Sequence, residues 1–253
     1  LSSVLAGEMP REETELKPRS WWERQGVTLV YGRRAAGIDR DNRQVVLEDG
    51  TRMAYARLVL ATGSDPIRLP KPGMDLPGVV TFRDHDDVGA MLAAAGPATR
   101  AVVIGGGLLG IEAAYGLAAT GTRVTLLHLM DRLMERQLDA EAAAMLKAAL
   151  EARGITVLLG ADTAAVEGDG CVEAVRLADG RELPCDIVVA AVGIRPNATL
   201  AREAGLEVGR GIVVDDRLTT SDPAIHAIGE CAEHRGTCYG LVEPAYQQAA
   251  VLA

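Results

Sequence analysis

Cysteine, aromatic residues and long apolar runs are all scarce in this chain of 253 residues. Only four cysteines are present, and no two of them form a C-x-x-C pair. So few cysteines in a chain of this length argue against a disulfide framework and favour a reducing, cytoplasmic setting. No apolar run approaches the roughly 20 residues needed to cross a bilayer, so we expect no membrane-spanning helix and no membrane partner.

Basic residues are also fewer than acidic ones. The chain has 26 Lys and Arg against 35 Asp and Glu, which gives a formal net charge of -9. An acidic surface argues against nucleic acid as a partner, but it is compatible with a small phosphate-bearing ligand held by backbone N–H groups. Neither G-x-S-x-G nor H-E-x-x-H occurs, so nothing in the sequence supports a hydrolase.

The chain repeats itself at an offset of about 130 residues. The stretch EDGTRMAYARLVLATG at 48–63 has a counterpart in ADGRELPCDIVVAAVG at 178–193, with the same spacing from the Asp-Gly turn to the closing glycine. Upstream, GVTLVYGRRAAGID at 26–39 matches GITVLLGADTAAVE at 154–167. Each copy predicts a strand after a helix-ending glycine, a β-meander with tight turns, and a final buried strand.

A glycine-rich stretch at 100–128 precedes the second copy. Gly105, Gly107 and Gly110 fit G-x-G-x-x-G, between a predicted strand at 101–104 and a predicted helix at 108–119. A second strand is predicted at 123–127, and a fingerprint inside such a strand–helix–strand unit is typical of dinucleotide binding; without that context it also fits a plain tight turn. The predicted phosphate-binding residues are Gly105, Gly106, Gly107, Leu108, Leu109 and Gly110, at a helix start whose dipole favours an anion.

Two further residues of this unit are candidates for nucleotide contact. Glu112 lies on the first turns of the helix, where a carboxylate is favourable in any case. His128 ends the second strand, where an Asp or Glu normally accepts a hydrogen bond from the adenine ribose of NAD. Arg132 is suited to a 2′-phosphate and Asp131 opposes one, so the choice between NADH and NADPH stays open.

The offset also bears on the first copy. If the copies are equivalent, the first glycine fingerprint falls before Leu1. The first residues have no basic stretch followed by an apolar one, so they do not resemble a signal peptide. We therefore expect a chain cut from a longer one, with two Rossmann-like dinucleotide-binding domains of the α/β class. Each domain has a parallel sheet and a β-meander, and the first is truncated at its N-terminus.

Four motifs resemble the flavoprotein pyridine nucleotide oxidoreductases, which use FAD and NAD(P)H. They are ATGS at 61–64, GGGLLGIE at 105–112, AVGIRPN at 191–197 and TSDPAIHAIGECA at 220–232. The resemblance covers essentially the whole chain. More narrowly, LSSVLAGE, HLMDRLMERQLD and GECAEHRG resemble the flavin and nicotinamide portion of the large subunit of NAD(P)H-dependent nitrite reductase.

This resemblance implies an FAD domain at 1–80 and 200–253, interrupted by an NAD(P)H domain at 81–199. It implies an electron-entry module, in which hydride passes from NAD(P)H to FAD and electrons move on to iron–sulfur and siroheme domains further along the full-length chain. One alternative is a ferredoxin or rubredoxin reductase, and another is a nucleotide-binding module without turnover. No catalytic side chain is expected, because the cofactors carry the chemistry.

The resemblance also assigns residues to the cofactors. Ala61, Thr62 and Gly63 are expected against the phosphate and ribityl side of FAD, although an ordinary strand-ending turn fits the same residues. Gly229 and Glu230 are expected at the ribityl hydroxyls, where the alternative is a solvated turn carboxylate. Gly193 closes the corresponding strand of the second copy and is assigned to NAD(P)H. Without the first glycine loop, we expect this chain to hold FAD weakly or not at all and to be inactive alone.

Cys231, His234 and Cys238 have a spacing that suggests metal ligands. They supply three candidates and no clear fourth, so we expect a packed loop and no metal. A redox disulfide between the two cysteines is a second alternative.

Overall fold

The computed structural model describes all residues, 1–253. The helices are α1 (Ser2–Leu5), α2 (Arg19–Arg24), α3 (His85–Ala94), α4 (Leu108–Ala119), α5 (Ala140–Glu151), α6 (Thr199–Glu203) and α7 (Val242–Leu252), with 3-10 turns at Arg11–Thr14 and Gly229–Cys231. The strands are β1 (Ala35–Asp39), β2 (Gln44–Leu47), β3 (Arg52–Ala54), β4 (Leu58–Leu60), β5 (Ser64–Pro66), β6 (Val79–Thr81), β7 (Arg100–Ile104), β8 (Arg123–Leu127), β9 (Thr156–Leu158), β10 (Thr163–Glu167), β11 (Ala174–Leu177), β12 (Glu182–Pro184), β13 (Ile187–Ala190), β14 (Ile194–Pro196), β15 (Ile212–Val214), β16 (Ile225–Ala227), β17 (Ala232–His234) and β18 (Thr237–Cys238). None of the helices combines the length and apolar character that crossing a bilayer requires.

The chain divides into two compact units. Unit 1 contains residues 1–16 and 66–193, and unit 2 contains residues 17–65 and 194–253. These boundaries differ from those expected from the sequence, 80/81 and 199/200. The difference arises because 66–80 packs on the second copy: the N–H of Val166 donates to the carbonyl of Pro72 at 2.9 Å, and β6 pairs with β13. Residues 1–16 join unit 1 as well, since Leu5 is fully buried in its core.

Unit 1 is built on a five-stranded sheet in the order β6-β13-β7-β8-β9. Every neighbouring pair in it is parallel. Both faces of a parallel sheet are covered, which is why its strands are largely apolar; β13 is buried at all four positions. One apolar cluster includes Leu117 of α4 and Leu150 of α5, and a second includes Leu177 of the antiparallel meander β10-β11-β12.

The helix that follows the glycine-rich loop starts and stops as its sequence predicts. Its body, LLGIEAAYGLAA, is rich in strong helix formers, and it forms α4. Its N-cap is Gly107, and the chain leaves the helix at Gly121 with a left-handed φ of +84°. The next helix, α5, is capped by the side chain of Asp139, which accepts from the N–H of Ala142 at 2.8 Å.

Unit 2 carries a matching meander, β1-β2-β3, and a parallel pair, β16-β4. A further three-stranded sheet, β15-β17-β18, completes the unit, and β5 pairs with β14. Its core includes Leu60, Ile212, Ile225 and Ala227, all at most 4% exposed. The predicted class, α/β with a parallel sheet and a β-meander in each half, is confirmed.

The two copies of the repeat have the same structure in their meanders but differ in the segment that precedes each meander. The register of β1 against β2 shifts between Ala35 and Gly37, and that of β10 against β11 shifts at the matching place, between Thr163 and Ala165. The strand predicted after Gly26 is not formed, whereas its counterpart is β9. β9 pairs with β8 in the sheet of unit 1. Unit 2 has no strand in the position of β8 with which segment 26–31 could pair. The segment 26–31 therefore stays irregular, with Val27 at 41% exposure against 1% for the equivalent Ile155.

Candidate nucleotide-binding site

The predicted glycine-rich loop joins β7 to α4. Gly105 has a left-handed φ of +120° and donates its N–H to the carbonyl of Leu127 at 2.8 Å. A Cβ at Gly105 would meet the carbonyl oxygen of Ala191 at 2.2 Å, and a Cβ at Gly110 would meet that of Gly105 at 1.8 Å. Glycine is therefore required at both positions. At Gly105 the reasons are the left-handed backbone and the nearby Ala191 carbonyl after β13, and at Gly110 the reason is the close approach of α4 to the end of β7.

The middle glycine of the motif is different, because it is bordered by open space. Gly107 has an extended backbone, φ −83° and ψ −177°, and nothing lies within 4 Å of the position of its absent Cβ. No side chain caps the helix here, and its first turn contains no acidic residue. The first helical bond of the loop region runs from the N–H of Ile111 to Gly107. The N–H groups of Leu108, Leu109 and Gly110 thus precede the helical pattern, and the local dipole favours an anion.

His128 follows β8 beneath this loop and is 9% exposed. Its Nδ1 accepts from the N–H of Gly106 at 3.0 Å, and its Nε2 lies 3.0 Å from Oε2 of Glu135. Both ring nitrogens are engaged inside unit 1, and a contact of His128 with the nucleotide stays a prediction. The contact to Glu135 could not be anticipated, because the stretch 129–138 has no period that predicts which side chain turns inward.

Glu112 is placed by the N-terminal segment. The hydroxyl of Ser2 donates to Oε2 of Glu112 at 2.6 Å, within unit 1. The carboxylate therefore helps to anchor α1, and its predicted place near the nicotinamide stays a prediction. Gly193 has a left-handed φ of +119°, and its carbonyl accepts from the N–H of Ile67 at 2.9 Å. A role for Gly193 in nucleotide binding likewise stays a prediction.

In unit 2, two predicted segments come together at one edge of a parallel pair. β4 and β16 run side by side, with Leu60 opposite Ala227, so that Ala61–Gly63 and Gly229–Glu230 both follow carboxyl ends of strands. The buried hydroxyl of Ser64 donates to Oε2 of Glu230 at 2.8 Å. Ligands of open α/β sheets bind at this edge, so the grouping fits the predicted site.

Hydrogen bonds to neighbouring segments fix the turns at Ala61–Gly63 and Gly229–Glu230. The hydroxyl of Thr62 donates to the carbonyl of Asn197 at 2.6 Å, and the N–H of Asn197 donates back to Gly63 at 2.9 Å. The N–H of Gly229 donates to the side chain of Gln248 on α7 at 2.6 Å. Both turns are therefore held by contacts within unit 2.

The cysteines and histidine near β17 do not converge. Cys231 is buried, and its Sγ lies 3.2 Å from the carbonyl of Ile228. His234 contacts Asp216 instead, at 2.8 Å from Nε2 to Oδ1. The structure contains no group of three His, Cys, Asp or Glu side chains placed to hold a metal ion, and all four cysteines are unpaired.

A polar cavity of about 520 Å³ lies elsewhere in unit 2. Its lining includes Asp39, Arg40, Glu203 and Asp222, and none of the predicted nucleotide contacts. Arg40 already pairs with Asp222 at 2.9 Å. At the glycine loop of unit 1, the space beside Gly107 is open, which fits a ligand that lies across a helix N-terminus.

These features define a class of protein. Residues 1–249 match the family model for pyridine nucleotide-disulphide oxidoreductases, and the chain belongs to that family. It is 47% identical over 253 residues to a nitrite reductase [NAD(P)H] of Bacillus subtilis (strain 168), covering 100% of this chain and 31% of the relative. An assimilatory nitrate reductase electron transfer subunit of the same organism is 44% identical over the same length, which is 33% of that relative.

A solved structure shares the fold over nearly the whole chain. The ferredoxin reductase for the CYP199A2 system from Rhodopseudomonas palustris matches with a TM-score of 0.92 and 33% identity, covering 99% of this chain and 64% of that one. This chain spans about a third of the length of the two curated relatives.

Proposed function

We propose that unit 1 binds the pyrophosphate of NADH or NADPH at the loop Gly105–Gly110. The open space at Gly107 carries this proposal, because it lies at the N-terminus of α4, where no side chain caps the helix and an anion can reach the backbone N–H groups. The backbone N–H groups at the start of α4 would hold the phosphate oxygens. Glu112 and Gly193 would border the nicotinamide end of the same nucleotide, and Leu108 and Leu109 would contribute backbone N–H groups.

Unit 2 would supply contacts to FAD. Ala61, Thr62 and Gly63 follow β4, and Gly229 and Glu230 follow β16, so their backbone and carboxylate groups would hold the phosphate and ribityl side. When both cofactors are bound, the reduced nicotinamide supplies a hydride that the flavin accepts. The side chains described here would orient the two nucleotides, and none of them need transfer a proton.

The activity that fits this arrangement is the electron-entry step of an NAD(P)H-dependent nitrite reductase. It is supported by the extent of identity to the nitrite reductase of Bacillus subtilis, which spans all 253 residues. Electrons would pass onward to iron–sulfur and siroheme domains of a longer chain, in the cytoplasm. The second candidate is a ferredoxin reductase, favoured by the likeness to the Rhodopseudomonas palustris structure. Which acceptor follows the flavin separates the two.

The 253-residue chain would bind NAD(P)H without retaining FAD. Unit 2 has a parallel pair but no glycine fingerprint, and β4 has a strand partner on one side, β16. Its segment 26–31 exposes Leu29, Val30 and Tyr31 where the equivalent residues of unit 1 form or flank β9. A strand–glycine loop–helix–strand unit that pairs with the free edge of β4 would hold the FAD pyrophosphate, as proposed for NAD(P)H in unit 1.

Calorimetric titration with NADH and NADPH tests the proposal. Gly107→Val should reduce affinity at least about tenfold, or roughly 1.4 kcal/mol, because the branched side chain fills the space of the phosphates. The extended backbone at Gly107 accepts valine, so the variant should fold. Gly89→Val is the matched control, since Gly89 lies on the exposed side of α3 with nothing within 4 Å of its Cβ position. Equal affinities in wild type and Gly107→Val would contradict the proposal.

A further inference from the structure

Hydrogen bonds to His128 and Met134 fix the peptide groups on either side of Gly106. The N–H of Gly106 donates to Nδ1 of His128, and its carbonyl accepts from the N–H of Met134, both at 3.0 Å. A Cβ at Gly106 would lie 2.6 Å from Cγ of His128 and 2.6 Å from Cδ2 of Leu133. Gly106 is therefore clamped between the end of β8 and the segment 129–138.

The hydrogen bonds determine the tautomer of His128. The N–H of Gly106 can only donate, so Nδ1 must carry the lone pair, and the proton of the neutral ring is on Nε2. That proton points at Oε2 of Glu135, 3.0 Å away. Burial acts to raise the pKa of Glu135, but hydrogen bonds from its own backbone N–H and from His128 outweigh it and lower the pKa. The pair is thus a carboxylate that fixes an imidazole, and the imidazole fixes a backbone amide.

The clamp also sets the direction of the next amide. In a trans peptide the carbonyl of Gly106 and the N–H of Gly107 point in opposite directions. The carbonyl faces Met134, so the N–H of Gly107 faces away from that segment. The open space at Gly107 is where the proposed phosphates would lie.

We propose that His128 is a positioning residue for the nucleotide-binding loop: in its Nε2–H form, anchored by Glu135, it holds Gly106 so that the Gly107 N–H is presented to the dinucleotide phosphates. This inference rests on the proposed binding of NAD(P)H to unit 1. It gives His128 a role through the loop and not through the ribose. A histidine that merely filled space under the loop would be replaceable by any side chain of similar volume.

Two polar substitutions of His128 separate its contact with the Gly106 N–H from its contact with Glu135. His128→Asn keeps an acceptor at the place of Nδ1 and loses the donor toward Glu135. His128→Gln keeps a donor that reaches Glu135 and loses the acceptor at the Nδ1 position. The corresponding pair at the anchor is Glu135→Gln, which still accepts from Nε2, and Glu135→Leu, which does not.

The experiment uses the 253-residue chain and three readouts. NADH affinity is measured by calorimetry, exchange of the Gly106 amide with D₂O is measured without nucleotide, and the His128 tautomer is read from ¹⁵N chemical shifts of the ring. We expect the Nε2–H tautomer and a protected Gly106 amide in wild type. His128→Asn and Glu135→Gln should stay within about threefold in affinity, whereas His128→Gln should lose about tenfold and expose the Gly106 amide, as the loss of a buried amide's acceptor implies. Glu135→Leu should fall between these.

Other outcomes would overturn the inference. They are an Nδ1–H tautomer, a Gly106 amide that exchanges equally in the Asn and Gln variants, or equal NADH affinities of those two variants. If wild type bound neither NADH nor NADPH, the proposed function would fail, and the exchange and tautomer measurements would still decide whether His128 holds the loop.

Discussion

Gly110 approaches Gly105 so closely that a Cβ at Gly110 would lie 1.8 Å from the Gly105 carbonyl oxygen. Gly110→Ala must therefore push α4 away from β7, and we expect a loss of about 2 kcal/mol or more in the free energy of unfolding. Urea unfolding followed by circular dichroism measures it. Gly89→Ala on α3, with open space at its Cβ position, should instead gain up to about 1 kcal/mol. Equal stabilities of the two variants would show that the close approach is absent.

Leu5 ties the N-terminal segment to unit 1. Its side chain is fully buried, and Gly116 of α4 leaves room for it, since a Cβ there would lie 2.6 Å from Cγ of Leu5. Leu5→Ala should cost about 2–5 kcal/mol by leaving a cavity in the core of unit 1. Leu16→Ala, at a position 83% exposed, should change stability by less than about 0.5 kcal/mol. A neutral Leu5→Ala would place residues 1–16 outside that core.

Asp216 is the clearest pH-sensitive group. Hydrogen bonds from the side chain of Arg235, and then from His234, lower the pKa of Asp216 to about 2 from its ordinary value of 3.8. A depressed pKa means that the pairing contributes its full stabilisation above about pH 4 and loses it as the pH falls through about 2. Carboxyl ¹³C titration of the folded chain should show this midpoint, and Arg235→Gln should raise it. An unchanged midpoint in that variant would assign the shift to other groups.

Flavin absorbance of the purified chain tests whether unit 2 retains FAD. After purification and desalting, the 253-residue chain should show no visible absorbance from bound flavin. The reason is that no glycine loop in unit 2 holds the FAD pyrophosphate. A fusion that supplies a strand–glycine loop–helix–strand unit ahead of Leu1 should give yellow protein that transfers electrons from NAD(P)H to ferricyanide. Stoichiometric flavin in the unfused chain would contradict this account.

Much of the fold was predictable because its signals are local. The glycine spacing, the Ala- and Leu-rich helix and the apolar strands around Gly105 act over short stretches. The two strands and the helix predicted there are confirmed. The meanders were predictable for the same reason, since the Asp-Gly turns set their register. Even the register shifts at Ala35/Gly37 and Thr163/Ala165 occur at matching places.

The remaining features depend on partners distant in sequence. The segment 26–31 has the pattern of a strand, but a strand needs a neighbour, and the pattern does not show whether one is present. His128 occupies the position of a ribose-binding acid, but its direction is decided by Gly106 and Glu135 together. Residues 1–16 precede the first meander in the chain, yet they pack with α4, which no local signal indicates.

Amide NMR shows directly whether the loop Gly105–Gly110 binds a dinucleotide. NADH is titrated into ¹⁵N-labelled chain, and the backbone resonances of both units are followed. We expect saturable shifts of the amides of Gly106, Gly107 and Leu108, and we expect these shifts to be lost in Gly107→Val. Shifts confined to unit 2, or no shift at any NADH concentration, would contradict binding at this loop.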